Sequence, residues 1–580
     1  MKTVEIKDQF YINGEPFKII SGAIHYFRVV PEYWKDRLEK LKAMGCNTVE
    51  TYISWNMHEP EKGKFCFDGI LDIKRFVREA QELGLYVILR PSPYICGEWE
   101  FGGLPAWLLK DDSMRVRTNL KCFMEHVEQY YKRLMQEIGP LQITHGGPVI
   151  LMQVENEYGY YGSDSDYLEH LKQLYVDLGV TVPLVTSDGP EPAHLECGSI
   201  DGVLATANFG SKTVEKYGIV KKHIGDKPFF CMEFWVGWFD HWGNGGHMKG
   251  NLEESVKDLD EILKCGNVNI YMFHGGTNFG FMNGSNYYDE LFPDVTSYDY
   301  DAVLTEDGQI TEKYRRFQKV ISKYVDIPEV EFSTPIKRLE YGKLNVVEKT
   351  GLFESLEELS TPIESVFPLC MEKCGQNYGY IMYESNLERQ NTVQTVQLLG
   401  ANDRANIFLD EEPATVLYDK ELLAETTLET GQSYDKISIL AENMGRVNFS
   451  YKMNYQRKGI DQGVLINGKL KSNWKNFPLP LDNIERLTYT KGYKNGTPGF
   501  YKFIFDVEEI GDTFLDFEGW GKGCAFVNGF NIGRFWEIGP QKRLYIPGPL
   551  LKKGKNTIVL FETEGKVRDS ITLKATPDLG

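Results

Sequence analysis

The sequence predicts an α/β fold in which strands and helices alternate around a closed barrel, followed by all-β domains. Apolar runs of strand length alternate with helix-length segments eight times before about residue 325. Polar and aromatic residues gather directly after several of these runs, as they do at the carboxyl ends of barrel strands. Beyond about residue 327, short segments of alternating apolar and polar residues take over, separated by turn residues, which indicates sandwiches or jelly rolls.

Four apolar runs predict the first half of the barrel: residues 17–24, 47–53, 85–89 and the run that begins at Val149. The helix between the first two strands is indicated by Trp34, Leu38 and Leu41, which are spaced four and three residues apart. The following helix ends at Gly84, a residue type common just beyond a helix C-terminus.

Four further runs predict the second half of the barrel: residues 182–185, 202–205, 229–232 and 268–273. The first strand is not followed by a glycine pattern of the kind that binds dinucleotides or phosphates. We therefore favour a closed (β/α)8 TIM barrel over an open nucleotide-binding sheet.

The change of pattern after the barrel divides the chain into four parts. Residues 1–326 form the barrel, and residues 327–375 form a linker with the first β strands. Residues 376–486 and 487–580 each form a β-sandwich, the last of jelly-roll type. We expect the sandwiches to serve in packing and oligomer contacts, with glycan binding as the alternative. The oligomeric state stays open, a homo-oligomer included.

Charge and composition exclude several classes of partner. The chain has 580 residues and a net charge of −19, from 83 acidic and 64 basic residues, without a long basic run. Nucleic acid and membrane surfaces are therefore not expected partners. The first ten residues carry charges every two or three positions, unlike a signal peptide, so we expect a cytoplasmic protein. The histidines and cysteines are scattered without ligand spacing, and we expect no metal site.

Two acids and an amide follow the predicted fourth strand. Glu155, Asn156 and Glu157 come directly after the apolar run from Val149, where barrel enzymes carry their chemistry. A helix cap or a turn would explain a single glutamate at this position equally well. A second acid, Glu233, ends the predicted seventh strand, and this pairing favours a shared site.

Two carboxylates at one barrel mouth, surrounded by aromatic residues, suit hydrolysis of a glycosidic bond. One acid protonates the leaving oxygen and the other meets the cationic transition state. Sugars present CH faces that stack on aromatic rings and hydroxyls that need polar partners. The spacing alone does not decide whether Glu155 or Glu157 acts.

At these residues the sequence resembles glycoside hydrolase family 35, specifically β-galactosidases of the bacterial, intracellular type. The matching segments are residues 22–28, 51–60, 90–107, 149–159, 233–243, 271–279 and 296–301. Residues 519–549 also resemble the family's last, galactose-binding-like β domain. The resemblance is dense over about residues 8–320 and 487–565 and thin between them.

The resemblance implies a role for each matching residue. Glu157 is implied to be the general acid and base, Glu233 the nucleophile of a retaining reaction, and Asn156 the partner of the sugar 2-hydroxyl. Glu155 is then structural. Trp235 stands where some members carry Tyr. The other positions implied to line the galactose pocket are Tyr52, Cys96, Gly97, Glu98, Tyr271, Tyr298 and Tyr300. No metal or organic cofactor is implied.

The implied activity is removal of terminal, non-reducing β-D-galactose from short oligosaccharides, with a β-1,3 linkage preference as one option. Cleavage of another sugar, such as a β-glucosaminide, is the first alternative. A carbohydrate-binding protein without turnover is the second, although both acids are present.

Residues outside the galactose pocket are expected to contact the rest of the substrate. Trp238 and Trp242 are candidates for an aglycone platform, with plain packing as the alternative. The segment from Arg446 to Asp461, with its tyrosines and Phe449, is a further candidate, because it has the content to reach back from a β domain to the barrel mouth.

Overall fold

The computed structural model describes residues 2–333, 335–387, 392–428 and 432–580, and it confirms the predicted barrel. Eight parallel strands pair in chain order, and the eighth closes onto the first. Their bounds are Ile20–Ile24, Thr48–Tyr52, Tyr86–Arg90, Val149–Gln153, Leu184–Asp188, Leu204–Phe209, Phe230–Trp235 and Asn267–His274. These strands are buried almost throughout, as expected for a parallel sheet covered on both faces.

The outer helices connect these strands. They are Trp34–Ala43, Ile73–Glu82, Lys121–Ile138, Ser165–Asp177, Pro192–Gly198, Thr213–Ile224, Leu252–Cys265 and Glu312–Ile321. Side chains cap several N-termini: Asp72 accepts from the backbone of Arg75, and Thr311 accepts from Tyr314. Gly84, with φ 75°, follows the second of these helices as predicted. Within the described residues, no helix combines the length and apolar character that a membrane crossing requires.

A three-stranded hairpin sheet covers the amino-terminal end of the barrel. It consists of Val4–Ile6, Phe10–Ile12 and Glu15–Phe17. Phe10 packs edge-on against Phe230, at the start of the seventh strand, with ring centroids 5.9 Å apart. This end is therefore closed, and the opposite end remains for a site.

The region after the barrel contains a sandwich of two antiparallel sheets. One sheet has six strands, in the order Ile363–Ser365, Trp474–Leu479, Tyr380–Asn386, Lys436–Glu442, Arg404–Leu409 and Glu412–Tyr418. The other has four, in the order Thr426–Thr427, Thr395–Asn402, Gly459–Ile466 and Lys469–Leu470. Ile407 and Ile439 of the first sheet share a buried cluster with Leu398 and Val464 of the second.

The last region is an eight-stranded sheet that folds around its own core. Its order is Phe530–Trp536, Lys522–Val527, Gly554–Glu562, Gly499–Val507, Gly342–Gly351, Ser570–Lys574, Thr513–Asp516 and Arg543–Ile546. The core includes Tyr501, Trp520 and Leu560.

The strand Gly342–Gly351 lies in the segment 327–375 that we assigned to a linker and the first β strands, yet it belongs to this last sheet. Its first half pairs with Ser570–Lys574 and its second half with Gly499–Val507. The sequence pattern conceals this partnership because the strand is rich in charged and exposed residues. A helix that the sequence analysis did not identify, Leu352–Leu359, follows it.

The two β regions pack against each other through a shared apolar cluster. Phe561 of the last sheet stacks on Phe500 at 4.5 Å and meets the ring of Tyr380, from the middle sandwich, edge-on at 5.0 Å. Leu352 and Leu356 of the unpredicted helix belong to the same cluster.

We predict that Phe561→Ala destabilises the protein by about 3–5 kcal/mol, because it opens a cavity where the two regions meet. The measurement is the urea midpoint of unfolding. Val347→Ala, at a side chain that is 56% exposed, is the matched control and should change stability by less than about 0.5 kcal/mol. Equal midpoints for the two variants would contradict the assigned interface.

Candidate active site

The carboxyl ends of the barrel strands surround a cavity of about 210 Å³ that contains both predicted acids. Pockets for drug-sized ligands are larger, roughly 300–1,000 Å³, so the volume suits one small unit. Its lining includes Glu157 after the fourth strand and Glu233 on the seventh. The two carboxyl groups therefore share one compartment.

Glu157 is held in an unusual backbone conformation. Its φ of 49° and ψ of 41° are left-handed, and its N–H donates to the carbonyl of Ser187 at 2.8 Å. Its Oε1 accepts a hydrogen bond from Asn208 Nδ2 at 3.1 Å, and Ser187 Oγ in turn donates to Asn208 Oδ1 at 2.6 Å. Burial, followed by the nearby charge of Glu233, raises the pKa of Glu157 to about 8.

Glu233 is surrounded by hydrogen-bond donors. Its Oε1 accepts from Tyr52 at 2.7 Å and from Arg90 Nη2 at 2.6 Å, and its Oε2 accepts from Trp235 Nε1 at 2.9 Å. All of these donors stabilise an ionised carboxylate, and Arg90 adds a buried positive charge. Glu233 thus accepts from three donors, one of them positively charged, whereas Glu157 accepts from the neutral amide of Asn208.

Asn156 is oriented by three donors that converge on its Oδ1. They are Tyr52 at 3.0 Å, Arg90 Nη2 at 2.7 Å and Gln153 Nε2 at 3.1 Å. Because the oxygen is occupied, the Nδ2 group is the part of this cavity-lining side chain that can donate to a ligand.

A loop after the third strand forms one wall of the cavity. Cys96, Gly97 and Glu98 all line it, and all have positive φ angles, of 53°, 59° and 48°. The Gly97 carbonyl accepts from buried Arg28, and Glu98 Oε2 accepts from Tyr298 at 2.6 Å. Burial raises the pKa of Glu98 to about 7.

Tyr298 differs from its predicted position in the lining. It lies behind Glu98, whose carboxyl group it holds, and its ring stacks on the guanidinium of Arg28 at 3.8 Å. Tyr271, Tyr300 and Trp235 do line the cavity, as does Tyr52. The structure thus brings ten of the eleven residues predicted for catalysis and galactose binding to one surface: Tyr52, Cys96, Gly97, Glu98, Asn156, Glu157, Glu233, Trp235, Tyr271 and Tyr300.

Comparisons with known proteins show the family to which this chain belongs. The model of glycosyl hydrolases family 35 matches residues 9–324. A human protein, beta-galactosidase-1-like protein 2, is 41% identical over 98% of this chain and 91% of its own length. The chain belongs to glycoside hydrolase family 35.

Other relatives are similar over nearly the whole chain as well. Beta-galactosidase 17 of Arabidopsis thaliana is 38% identical over 96% of this chain and 86% of its own length, and the beta-galactosidase of Bos taurus is 38% identical over 96% and 90%. Two further models match the β regions: the first all-beta domain of beta-galactosidase over 368–480 and its galactose-binding domain over 498–556. The protein is therefore a glycoside hydrolase of the β-galactosidase-like kind.

Of the two tryptophans proposed as an aglycone platform in this family 35 protein, the structure brings only Trp238 to the cavity. Trp238 is 39% exposed at the cavity rim. Trp242 is 6% exposed, and its N–H donates to the carbonyl of Pro293 at 2.9 Å. His241, next to Trp242, pairs through its backbone with Asp294, which follows the strand Leu291–Pro293. Trp242 therefore packs against this strand instead of facing the cavity.

The middle sandwich also reaches the cavity of the family 35 barrel, as the hypothesis for residues 446–461 required. The short strand Val447–Phe449, which lies between two sandwich strands in the sequence, pairs with Ser285–Tyr287 in a separate three-stranded sheet, and Phe449 lines the cavity. Tyr451 and Tyr455 are exposed and lie outside the lining.

Several site residues were missed at the sequence level. Asn208 is the next-to-last residue of the sixth strand, close to the kind of position that identified the acids, so its place in the chain was a usable signal. The remaining lining residues lie outside the barrel strands and have no such marker, and they are Tyr160, Phe239, Asn286 and Tyr288.

Glu155, the first acid of the motif, has a structural position. Arg117 Nε and Nη2 donate to its two oxygens, each at 2.9 Å, and both side chains are 1% exposed. Arg117 Nη2 also donates to the carbonyl of Asn156 at 2.7 Å. The ion pair therefore fixes the backbone from which Asn156 and Glu157 extend.

We predict that Glu155→Gln lowers stability by about 3–5 kcal/mol, because it leaves the buried charge of Arg117 unpaired. Thermal unfolding measures the effect. Glu253→Gln, which removes the exposed partner of Arg316, is the control and should leave the melting temperature unchanged. A Glu155 variant as stable as the control would contradict the structural role.

Proposed function

We propose that this protein is a retaining exo-β-galactosidase that releases terminal, non-reducing β-D-galactose from short oligosaccharides. The observation that carries the proposal is the contrast between two carboxyl groups in one small cavity: Glu233 accepts from Arg90, Tyr52 and Trp235, whereas the pKa of Glu157 is raised. Hydrolysis of a glycoside with retention needs one ionised and one protonated carboxyl group.

The proposed roles follow from these environments. Glu233 attacks the anomeric carbon, and the bond to the aglycone oxygen breaks as Glu157 gives that oxygen its proton. In the second step Glu157 takes a proton from water, and the resulting hydroxyl group displaces Glu233 from the anomeric carbon. Asn208 and Arg90 are positioning residues in this scheme, because they orient Glu157 and Glu233.

Recognition of galactose is assigned to the inner part of the cavity. The Nδ2 group of Asn156 is available for the 2-hydroxyl, and Glu98 and Cys96 supply polar atoms on the wall formed by the loop after the third strand. Tyr271, Tyr300 and Trp235 supply aromatic surface for the ring. The names of the relatives, all beta-galactosidases or beta-galactosidase-like proteins, support this sugar.

The rest of the substrate would meet the rim of the cavity. Trp238 and Tyr288 are 39% and 61% exposed there, and they offer flat faces to a second sugar. We propose that these two faces set the linkage preference, with the β-1,3 linkage as the option to be tested.

Initial rates on galactosyl disaccharides with β-1,3, β-1,4 and β-1,6 linkages test the linkage preference. We expect the highest kcat/KM for the β-1,3 isomer and a lower ratio between isomers in Trp238→Ala. Equal rates on all three would remove the linkage preference, and cleavage of a β-glucosaminide with the galactosides untouched would replace the proposed sugar.

We predict different defects for the two catalytic substitutions. Glu233→Gln removes the nucleophile and should abolish turnover. Glu157→Gln should lower kcat on disaccharides by about 10²–10⁴-fold, because the leaving oxygen loses its proton donor. The leaving group of a dinitrophenyl galactoside departs without receiving a proton. Azide attacks the galactosyl-enzyme without the help of a base. Azide should therefore restore turnover of this substrate in Glu157→Gln but not in Glu233→Gln.

Nuclear magnetic resonance of the first-formed wild-type product should show the β anomer, as retention requires. The α anomer as first product, or azide rescue of Glu233→Gln instead, would contradict the assigned roles.

The pH dependence follows from the raised pKa of Glu157. This residue acts first as an acid, so kcat/KM should fall as the pH rises through about 8 and Glu157 loses its proton. The hydrogen bond from Asn208 lowers that pKa, and Asn208→Ala should therefore move the alkaline limb to higher pH. A limb that stays in place in this variant would show that another group titrates there.

A further inference from the structure

We propose that Arg446 and Asn448 of the middle sandwich are positioning residues for the loop that binds galactose, so that the glycone site is completed by two regions of the chain. The loop, residues 94–103, contains Cys96, Gly97 and Glu98 of the cavity wall. This inference rests on the proposed function for the identity of the sugar.

The loop needs external support because its backbone is strained. Three residues other than glycine, Cys96, Glu98 and Phe101, have φ angles of 53°, 48° and 55°. A left-handed conformation costs a residue with a Cβ atom roughly 1–2 kcal/mol. Such a conformation persists only when neighbouring contacts impose it.

Residues 446–448 supply those contacts at points spread along the loop. The carbonyl of Asn448 accepts from Tyr94 Oη at 2.6 Å, and Asn448 Nδ2 donates to Cys96 Sγ at 3.5 Å. The carbonyl of Arg446 accepts from the N–H of Phe101 at 3.4 Å. The guanidinium and the N–H of Arg446 both donate to the carboxyl group of Glu100.

The other contacts of Arg446 tie it to the middle sandwich. Its Nη2 and Nε donate to Glu372 Oε1 at 2.5 and 3.1 Å, and Nε also donates to the carbonyl of Gln456 at 3.1 Å. Arg446 and Asn448 are completely buried, with Glu100 and Glu372 almost so. One cation thus joins a carboxylate of the loop to a carboxylate of the sandwich, and both are desolvated.

Close packing adds a steric restraint on the same side. A Cβ atom placed on Gly102 would lie 3.1 Å from the carbonyl oxygen of Asn448, and one on Gly284 would lie 2.6 Å from Asn448 Oδ1. The loop and the short strand Val447–Phe449 therefore approach with little free space. We call residues 446–448 the clasp. It reaches Glu98 through Cys96, whose Sγ donates to Glu98 Oε1 at 3.9 Å.

The clasp acts on binding rather than on bond cleavage. It contacts the cavity wall at Cys96, whereas Glu157 and Glu233 are held by Asn208, Arg90, Tyr52 and Trp235 of the barrel. Loosening the wall weakens galactose equally before and during the reaction, which raises KM and leaves kcat unchanged.

Steady-state kinetics of the full chain on a nitrophenyl β-galactoside test the inference. Asn448→Ala removes the donor to Cys96 but keeps the backbone contacts and the ion pairs. We expect its KM, and the inhibition constant of D-galactose, to rise roughly tenfold, the equivalent of one lost hydrogen bond, with kcat within about twofold of wild type. Arg446→Lys, which keeps the charge but loses the forked contacts, should change in the same direction.

Arg404→Lys is the matched control. Arg404 is also buried and joins the middle sandwich to the last sheet through Glu564, away from the cavity, at 2.9 Å. We expect its KM to equal that of wild type. Unchanged KM in both clasp variants, a fall in kcat without a rise in KM, or an equal effect in the control would overturn the inference. If wild type cleaves only another glycoside, the proposed sugar fails, and the same comparison of KM values on that glycoside still decides the role of the clasp.

Discussion

The guanidinium of Arg90 is the interaction on which the chemistry of this barrel depends. It is fully buried, and it donates to Gln153, Asn156 and Glu233 at 2.6–2.7 Å. Its Nη1 also lies 3.7 Å from Glu50 Oε1. A buried cation of this kind stabilises the negative form of the carboxylate that it contacts directly. Glu157 accepts instead from the neutral side chain of Asn208, and burial raises its pKa. The direct ion pair with Arg90, a residue of the third strand, therefore belongs to Glu233, whereas burial and the charge of Glu233 raise the pKa of Glu157.

Much of this arrangement was predictable from the sequence, because strand ends in a parallel barrel meet at one rim. The acids were found as polar residues that directly follow apolar runs, and the eight strands were found by the same alternation. Which glutamate of the pair 155 and 157 faces the cavity was not predictable from spacing. That outcome depends on Arg117, which is distant in sequence and holds Glu155 away from the cavity.

The parts that escaped prediction depend on contacts between distant segments. Asn286 lines the cavity from the strand Ser285–Tyr287, which pairs with Val447–Phe449, and neither strand has a strong pattern of its own. For Trp242 the sequence left an aglycone platform and plain packing open, because an aromatic residue near an active-site motif looks the same in sequence whether it faces a ligand or packs inward. Local pattern identifies strands and acids, whereas rim residues are decided by tertiary pairing.

The position of the strand Gly342–Gly351 has a consequence for synthesis of the chain. Its partners, Gly499–Val507 and Ser570–Lys574, lie beyond the entire middle sandwich. During synthesis this strand leaves the ribosome before either partner strand. Both of its edges therefore lack hydrogen-bond partners until the C-terminal residues have been made. Lys343 and Glu348 are exposed in the folded protein. Charged side chains of this kind oppose pairing of the unpartnered strand with other chains during that interval.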